Sequence, residues 1–376
     1  MNAITTTRSV PFVDIGGQHA PIKAELLAAM ERVIDGGMYV LGEEVAEIER
    51  RFAALCGVRY AVGLNSGTDA LVLALRALGI GPGDEVITAA NSFVSSAGCA
   101  AMLGARPVLA DVGEDFNLDP AALERAITPR TRAIIPVHLT GRPAQMDEIV
   151  ALARAHGIAV VEDAAQAVTA EYRGRRVGSI GVAGCFSLHP LKTLSAIGDG
   201  GLLTTDDPGL YEELMVLRNI GLESRDNARA WSGNSRLDTI QAAALLVKLK
   251  YLDEWTEGRR ANARLYRELL DGIPQVQPPD ELPHERSVYQ VFKIQADDRD
   301  ALQQYLKERG IGTAVHYPLP IHLQTVGATL GYAAGDFPVA ERQADRILSL
   351  PVYHTLDPDD VAYVASTIRA FYQERS

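Results

Sequence analysis

Val160-Val161-Glu162-Asp163-Ala164-Ala165-Gln166 and, downstream, Phe186-Ser187-Leu188-His189-Pro190-Leu191-Lys192-Thr193-Leu194 are the stretches whose reading decides how this chain folds. The first is an apolar, strand-like run that ends on a carboxylate. The second is a strand-like run that delivers a lysine among small and polar residues. Apolar runs of this length suit strands buried on both faces, and ligands bind at the carboxyl ends of such strands in open α/β sheets. An amine able to hold an aldehyde and an anion able to keep a ring nitrogen protonated are two parts that a pyridoxal phosphate site requires. Each residue also has a plain structural reading, Asp163 as a helix cap after a strand and Lys192 as a solvated, protonated side chain.

Working outward, further strand-like runs lie at Tyr60 to Leu64, Glu85 to Ala89, Arg106 to Ala110, Thr131 to Val137, Ala159 to Glu162, Gly184 to Leu188 and Gly201 to Thr205. Amphipathic helical patterns separate several of them, at Ala70 to Leu78, Pro120 to Ile127 and Met146 to Ala155, and two more, Ile22 to Ile34 and Glu43 to Leu55, precede the first. Strands alternating with crossover helices imply an α/β fold with a mostly parallel central sheet. Beyond Asn234 the pattern changes to one long helical stretch, Thr239 to Leu270, and a proline-rich break at Pro274 to Pro283. Tyr289 to Ile294, Arg299 to Arg309 and Ile311 to His316 then read as strand, helix and strand, and Phe337 to Gln373 as helix except at Leu350-Pro351-Val352-Tyr353. The expected division is a large cofactor-binding unit over residues 1–250 and a smaller C-terminal α+β unit over residues 251–376.

The 376 residues are 47% hydrophobic and 22% charged, which supports a large buried core. A formal charge of -12 argues against nucleic acid as the main partner and favours small metabolites. Cys56, Cys99 and Cys185 lie far apart without ligand spacing, so neither a disulfide framework nor a metal site is expected. The leading Met1-Asn2-Ala3-Ile4-Thr5-Thr6-Thr7-Arg8 has no apolar core of signal-peptide length, and no later run approaches the roughly 20 apolar residues that span a bilayer. A cytoplasmic protein without membrane attachment is the expectation.

Tyr60 to Leu64 runs into Asn65-Ser66-Gly67-Thr68-Asp69 and then a helical pattern. Small residues at a helix N-terminus present N–H groups at the positive end of the dipole, which suits a phosphate, although the same residues make an ordinary N-cap. Behind Lys192, Gly198-Asp199-Gly200-Gly201 either lets the loop bring the amine to a strand end or simply turns the chain.

With these residues in place, the chain resembles the DegT/DnrJ/EryC1/StrS family of sugar aminotransferases, which have the aspartate aminotransferase-like fold type I of pyridoxal-phosphate enzymes. The matching motifs are Asn65-Ser66-Gly67-Thr68, Ala90-Asn91-Ser92-Phe93, Glu162-Asp163-Ala164-Ala165-Gln166, Ser187 to Lys192, Gly198 to Gly201 and Gly233-Asn234-Ser235-Arg236-Leu237-Asp238, in family order. The resemblance implies that Lys192 forms the Schiff base with pyridoxal 5'-phosphate, that Asp163 pairs with its ring nitrogen and that Gln166 contacts its ring hydroxyl. Phe93 would cover one ring face, with ordinary core packing as the alternative. Gly67, Thr68 and Ser187 would hold the phosphate, and Asn234 would reach it from a second subunit, which implies a homodimer with shared active sites. His189, and in the segment His316 to Gln324 also Tyr317 and His322, are candidates for substrate contact, a structural histidine being the other reading. Arg218 and Arg236 could take a carboxylate or a sugar-linked phosphate in a forked pair, or make salt bridges.

The implied reaction is transamination in two halves. L-glutamate would leave its amino group on the cofactor as pyridoxamine 5'-phosphate, and a keto sugar, nucleotide-linked and 3-keto rather than 4-keto, would take it up. Related sugar dehydratases carry histidine in place of the lysine, and those with an iron–sulfur cluster need clustered cysteines. Other acceptors are a free keto sugar acid or a cyclitol ketone. The alternative of a different class is a non-catalytic, cofactor-binding regulator.

Overall fold

The computed structural model describes residues 8–375, so the reading made for Met1 to Thr7 lies outside the described residues. Seven strands form the central sheet: β1 (Tyr60–Leu64), β2 (Glu85–Ala89), β3 (Arg106–Ala110), β4 (Thr131–Ile135), β5 (Ala159–Asp163), β6 (Ala183–Ser187) and β7 (Gly201–Thr205). Their spatial order is β1-β7-β6-β5-β4-β2-β3. β7 runs antiparallel to β1 and β6, and every other neighbouring pair is parallel. Alternate side chains leave opposite faces of the sheet. Val161, Cys185 and Leu203 pack with Leu71 and Leu75 of helix Gly67–Ala77 on one face, while Phe186 and Leu202 pack with Phe52 of helix Glu43–Cys56 on the other. Both faces are therefore covered, which explains why β2 and β7 are buried at every position.

The register places the chain ends that matter. Asp163 pairs with Cys185 and bridges to Val137, and Leu64 and Ser187 both pair with Gly201. The carboxyl ends of β1, β4, β5 and β6 consequently open on one edge, and the loops that follow them share it.

A second, antiparallel sheet has the order β8 (Val276–Gln277), β9 (Phe292–Ala296), β10 (Ile347–Leu350). Helices Leu252–Leu270, Arg299–Glu308 and Pro358–Gln373 cover it, contributing Tyr266, Leu302 and Ile368 to one apolar cluster with Phe292 and Leu350. Three expectations change here. The helix expected over 239–270 is divided by a 3-10 turn, Leu249–Tyr251, into Thr239–Lys248 and Leu252–Leu270. Its apolar stripe meets the first sheet's core through Leu245 and the second's through Tyr266, and the turn re-phases the stripe between them. Ile311 to His316 forms no strand, only isolated bridges from Ile311 to Val10 and from Ala314 to Ser349. Ile347 to Ser349, expected to be helical, belong with Leu350 to β10, because a short, mostly apolar run fits either state and its pairing with β9 decides. We propose the turn at Leu249–Tyr251 as the division between the two units. Val10 departs from a simple split, since it packs in the second unit's cluster. No described helix is long and apolar enough to cross a membrane.

Under the common edge, Glu162 is fully buried. Its oxygens accept from the N–H groups of Gly178 at 2.8 Å and of Ile180 and Gly181 at 2.7 Å, and face His138 Nε2 at 3.0 Å. His138 Nδ1 accepts from Ala144 N–H at 3.0 Å, which leaves Nε2 to donate to the carboxylate. Gly178 has φ +83°, and a Cβ there would lie 2.3 Å from the Phe186 ring, so only glycine brings this turn to Glu162. Burial pushes the Glu162 carboxyl up, but His138 and the N–H groups of Gly181 and Gly178 outweigh it and hold the group below the ordinary glutamate value. A carboxyl held low stabilises the fold above the unfolded-state range, and the contribution is lost as pH falls through the lowered value. Glu162→Gln turns an amide NH2 toward backbone donors and should cost about 2–5 kcal/mol near neutral pH, with a flatter acid limb than the parent. Urea unfolding at neutral and acidic pH measures both, and an unchanged midpoint at neutral pH would contradict this account.

Candidate active site

The common edge opens into a cavity of about 370 Å³. Asp163, the last residue of β5, stands on its wall and is 5% exposed. Ser96 Oγ donates to its Oδ2 at 2.8 Å and the Ala165 N–H to its Oδ1 at 3.1 Å, and no described cation pairs with it. Lys192 follows β6 in a turn closed by its N–H to the His189 carbonyl at 2.8 Å. Its side chain lines the same cavity, and Nζ has no acceptor among the described residues. Burial pushes this amine below the ordinary lysine value, and the Asp163 carboxylate opposes the push.

One end of the cavity is a cradle. Ser66 caps helix Gly67–Ala77, its Oγ accepting from Asp69 N–H at 3.0 Å. The cap leaves the N–H groups of Gly67 and Thr68 without intrahelical partners, so capping and anion binding coexist here. Gly67 lies so close to Ser187 that a Cβ would sit 2.8 Å from the serine Cβ. Thr68 Oγ1 and Ser95 Oγ are 2.9 Å apart, and with Ser187 they give this end three hydroxyls.

Gln166, Phe93 and Tyr317 form the opposite wall. Gln166 Oε1 accepts from Thr140 N–H at 2.7 Å, and its Nε2 donates to the Tyr317 hydroxyl at 3.3 Å. Phe93 is 52% exposed with its ring centroid 5.6 Å from that of Tyr317, so it is cavity wall rather than core. Burial, with Asp163 adding to it, pushes the Tyr317 hydroxyl up to about 12. His189 is exposed on the rim.

His322 is not brought to this cavity. It is 3% exposed, with Nε2 2.9 Å from Glu341 Oε1 and its ring edge-on to Phe337 at 4.7 Å. The turn Pro318-Leu319-Pro320 and the 3-10 helix Ile321–Leu323 carry it beneath the surface, away from Tyr317. Asn234 also stands apart from its own chain's cavity, exposed on a loop and bridged through its backbone to Asn219. Arg218 is buried against Glu49, which makes it a structural ion pair. Arg236 donates to Asn219 Oδ1 at 2.9 Å and has no described carboxylate partner. The sequence reading did not include Ser95, Ser96 or Gln290. Ser95-Ser96 carries a local signal, two hydroxyls opening helix Ser95–Met102 just after Phe93. Gln290 arrives from the second unit with none, whereas His316 opens the segment already read as substrate-side.

A buried carboxylate without a cation, an amine without an acceptor and a cradle of N–H and hydroxyl groups fit a cofactor with an aldehyde, a protonated ring nitrogen and a phosphate. A model of the DegT/DnrJ/EryC1/StrS aminotransferase family matches residues 20–369. The chain is 44% identical over 370 residues to a dTDP-3-amino-3,4,6-trideoxy-alpha-D-glucose transaminase of Streptomyces venezuelae, with 98% of each chain covered. It is 43% identical over 368 residues to a pleiotropic regulatory protein of Geobacillus stearothermophilus, covering 97% of this chain and 99% of the relative. A crystal structure of S. venezuelae DesV in complex with a ketimine intermediate matches with a TM-score of 0.95 at 44% identity, covering 97% of this chain and 99% of that one.

The lowered amine of Lys192 generates a prediction. With no cofactor bound, a small acylating reagent should modify Lys192 at lower pH than it modifies exposed Lys307, because the neutral amine is the nucleophile. Peptide mass spectrometry across a pH series reads this, and coincident profiles for the two lysines would contradict it.

Proposed function

We infer the reaction from what the chain is: it belongs to the DegT/DnrJ/EryC1/StrS aminotransferase family, is an aminotransferase and has the aspartate aminotransferase-like fold. The amino group comes from L-glutamate and goes to a nucleotide-linked keto sugar, at position 3 rather than 4. The observation that carries this reading is that Lys192 without an acceptor and Asp163 without a cation face one cavity. The name of the S. venezuelae relative, a 3-amino sugar transaminase, supports the position.

Pyridoxal 5'-phosphate, when bound, supplies an aldehyde that condenses with amines and a cationic ring that takes up the electron pair a substrate carbon releases. Lys192 would hold it at the aldehyde carbon and, once freed by the donor's amino group, would take the proton released by the substrate carbon at Nζ and pass it to the carbon that was the aldehyde, the opposite transfer serving the acceptor. Asp163, fixed by Ser96 and Ala165, would hold the proton of the ring nitrogen. Gln166, already oriented by Thr140 N–H, would stand beside the ring hydroxyl, and Phe93 would cover one ring face. Gly67, Thr68 and Ser187 would hold the phosphate from this chain, and Asn234 from a second copy. Trp231, 95% exposed, and Ile220 flank Asn234 and support an interface there, since large apolar side chains bared together mark contact surfaces. His189 and Tyr317 stand on the substrate side.

The name of the Geobacillus relative favours one other reading, a non-catalytic regulator. Lys192, Asp163 and Gln166 gathered on one cavity weigh against it. A free keto sugar acid or a cyclitol ketone is the alternative acceptor.

Purified protein supplied with cofactor should be yellow and should bleach with L-glutamate. Protein that stays colourless and inactive would sink this reading. After bleaching, a panel of nucleotide-linked 3-keto and 4-keto sugars, keto sugar acids and cyclitol ketones should restore the colour with the 3-keto compounds first. Lys192→Ala should lose roughly a thousandfold or more in turnover, because it removes both the attachment point and the proton carrier. Mixing Lys192→Ala with Asn234→Ala chains should rebuild some intact sites, and failure of every mixed dimer to recover activity would count against shared sites.

A further inference from the structure

The turn that carries Lys192 is pinned by side chains from elsewhere. Gln290 Oε1 accepts from both the N–H and the Oγ of Thr193 at 2.8 Å, and Gln290 Nε2 donates to the Leu191 carbonyl at 2.7 Å. One amide thus brackets Lys192 at the residue before it and the residue after it. Farther along, Lys248 Nζ donates to the Ser195 carbonyl at 2.8 Å, and Gln241 pairs with the N–H and carbonyl of Ile197 at 2.7 and 2.9 Å. Every second residue from 191 to 197 is therefore tied.

The ties differ in origin. Gln241 and Lys248 belong to one helix, Thr239–Lys248. Gln290 belongs to the segment that enters β9, where the N–H groups of Val288 and Val291 bond to the carbonyls of Gly141 and Thr140. Both lone pairs of the Gln290 carbonyl are spent on Thr193, so this residue lines the cavity without an oxygen to offer a substrate.

Resting on the reading of Lys192 as the cofactor lysine, we propose that Gln290 is the positioning residue that sets where Lys192 Nζ stands and couples that position to the seating of the second unit. Lys192 has no side-chain partner among the described residues, so its long, flexible stem is placed by its backbone and the cavity walls. A proton carrier must come within about 2.6–3.2 Å of the atom it serves, and a displacement of about 1 Å costs on the order of a hundredfold in rate. Holding the backbone on both sides of the lysine meets that demand.

The test uses the full chain loaded with pyridoxal 5'-phosphate. Borohydride reduction and peptide mapping first locate the cofactor, and attachment to a lysine other than Lys192 would overturn the reading and this inference with it. With attachment at Lys192, Gln290→Met should slow bleaching by L-glutamate roughly 10- to 100-fold while the cofactor is retained. The pH midpoint of the cofactor's absorbance should also move, which a purely structural role would not require. Thr193→Val, which keeps the N–H and loses the hydroxyl, should show a smaller loss of the same kind. Gln290→Glu should recover part of the rate, since a carboxylate still accepts from Thr193. Bleaching within twofold of the parent in both Gln290→Met and Thr193→Val, with unchanged absorbance midpoints, would overturn the inference and leave the assignment of Lys192 standing.

Discussion

Two adjacent carboxylates on β5 send their side chains to opposite faces of the sheet, and the site depends on the one that does no chemistry. Glu162 points to the back face, where three backbone N–H groups and His138 saturate it. Asp163 points to the front, beside Ser96 and the cavity. The period of two along a strand makes this division unavoidable. By gathering the 178–181 turn and the His138 loop, Glu162 fixes the end of β5 relative to β4 and β6. That end is the ground on which Asp163 stands, and the backbone repeats the tie, since the Asp163 carbonyl accepts from His138 N–H at 3.0 Å.

On the front face the electrostatics are left open. A fold usually pairs the charges it buries, because an unpaired one forfeits its hydration. Here Asp163 is hydrogen-bonded with no described cation beside it, and Lys192 is pushed toward its neutral form by burial. Both departures suit a ligand that brings a cationic ring nitrogen and an electrophilic carbon. Around them, Gln166, Thr68 and Tyr317 are already engaged in hydrogen bonds, so the walls are oriented before anything enters.

The sheet was largely legible because its strands are short apolar runs ended by turn residues, and β1, β2, β3 and β7 fall at the expected bounds. Asp163 and Lys192 stood out because the first ends such a run and the second follows one by a few residues. Their roles still needed the register, which alone puts Leu64, Asp163 and Ser187 on one edge. Gln290 was invisible, since nothing in Tyr289-Gln290-Val291 announces a partner a hundred residues earlier. His322 shows the opposite error: near Tyr317 in sequence, it is carried away by one proline-framed turn and its Nε2 pairs with Glu341. Local pattern reports what a segment is made of, and long-range pairing decides where its side chains meet.

The charge of the cavity points beyond the single chain. An amino-acid donor brings carboxylates and a nucleotide-linked sugar brings a diphosphate, yet among the described residues lining the cavity Lys192 is the one lysine or arginine. Helix N–H groups supply only partial charge, enough for one phosphate. Arg218 is spent on Glu49, whereas among the described residues Arg236 has an amide oxygen and no carboxylate for partner. Arg236 sits two residues after Asn234, on a loop that also bares Trp231. An isolated chain gains nothing by exposing a large apolar ring beside an arginine that no described carboxylate pairs. In the proposed dimer the same loop would seat the ring against the second copy and deliver Asn234 and Arg236 to its anionic ligands, so the missing positive charge would arrive with the partner.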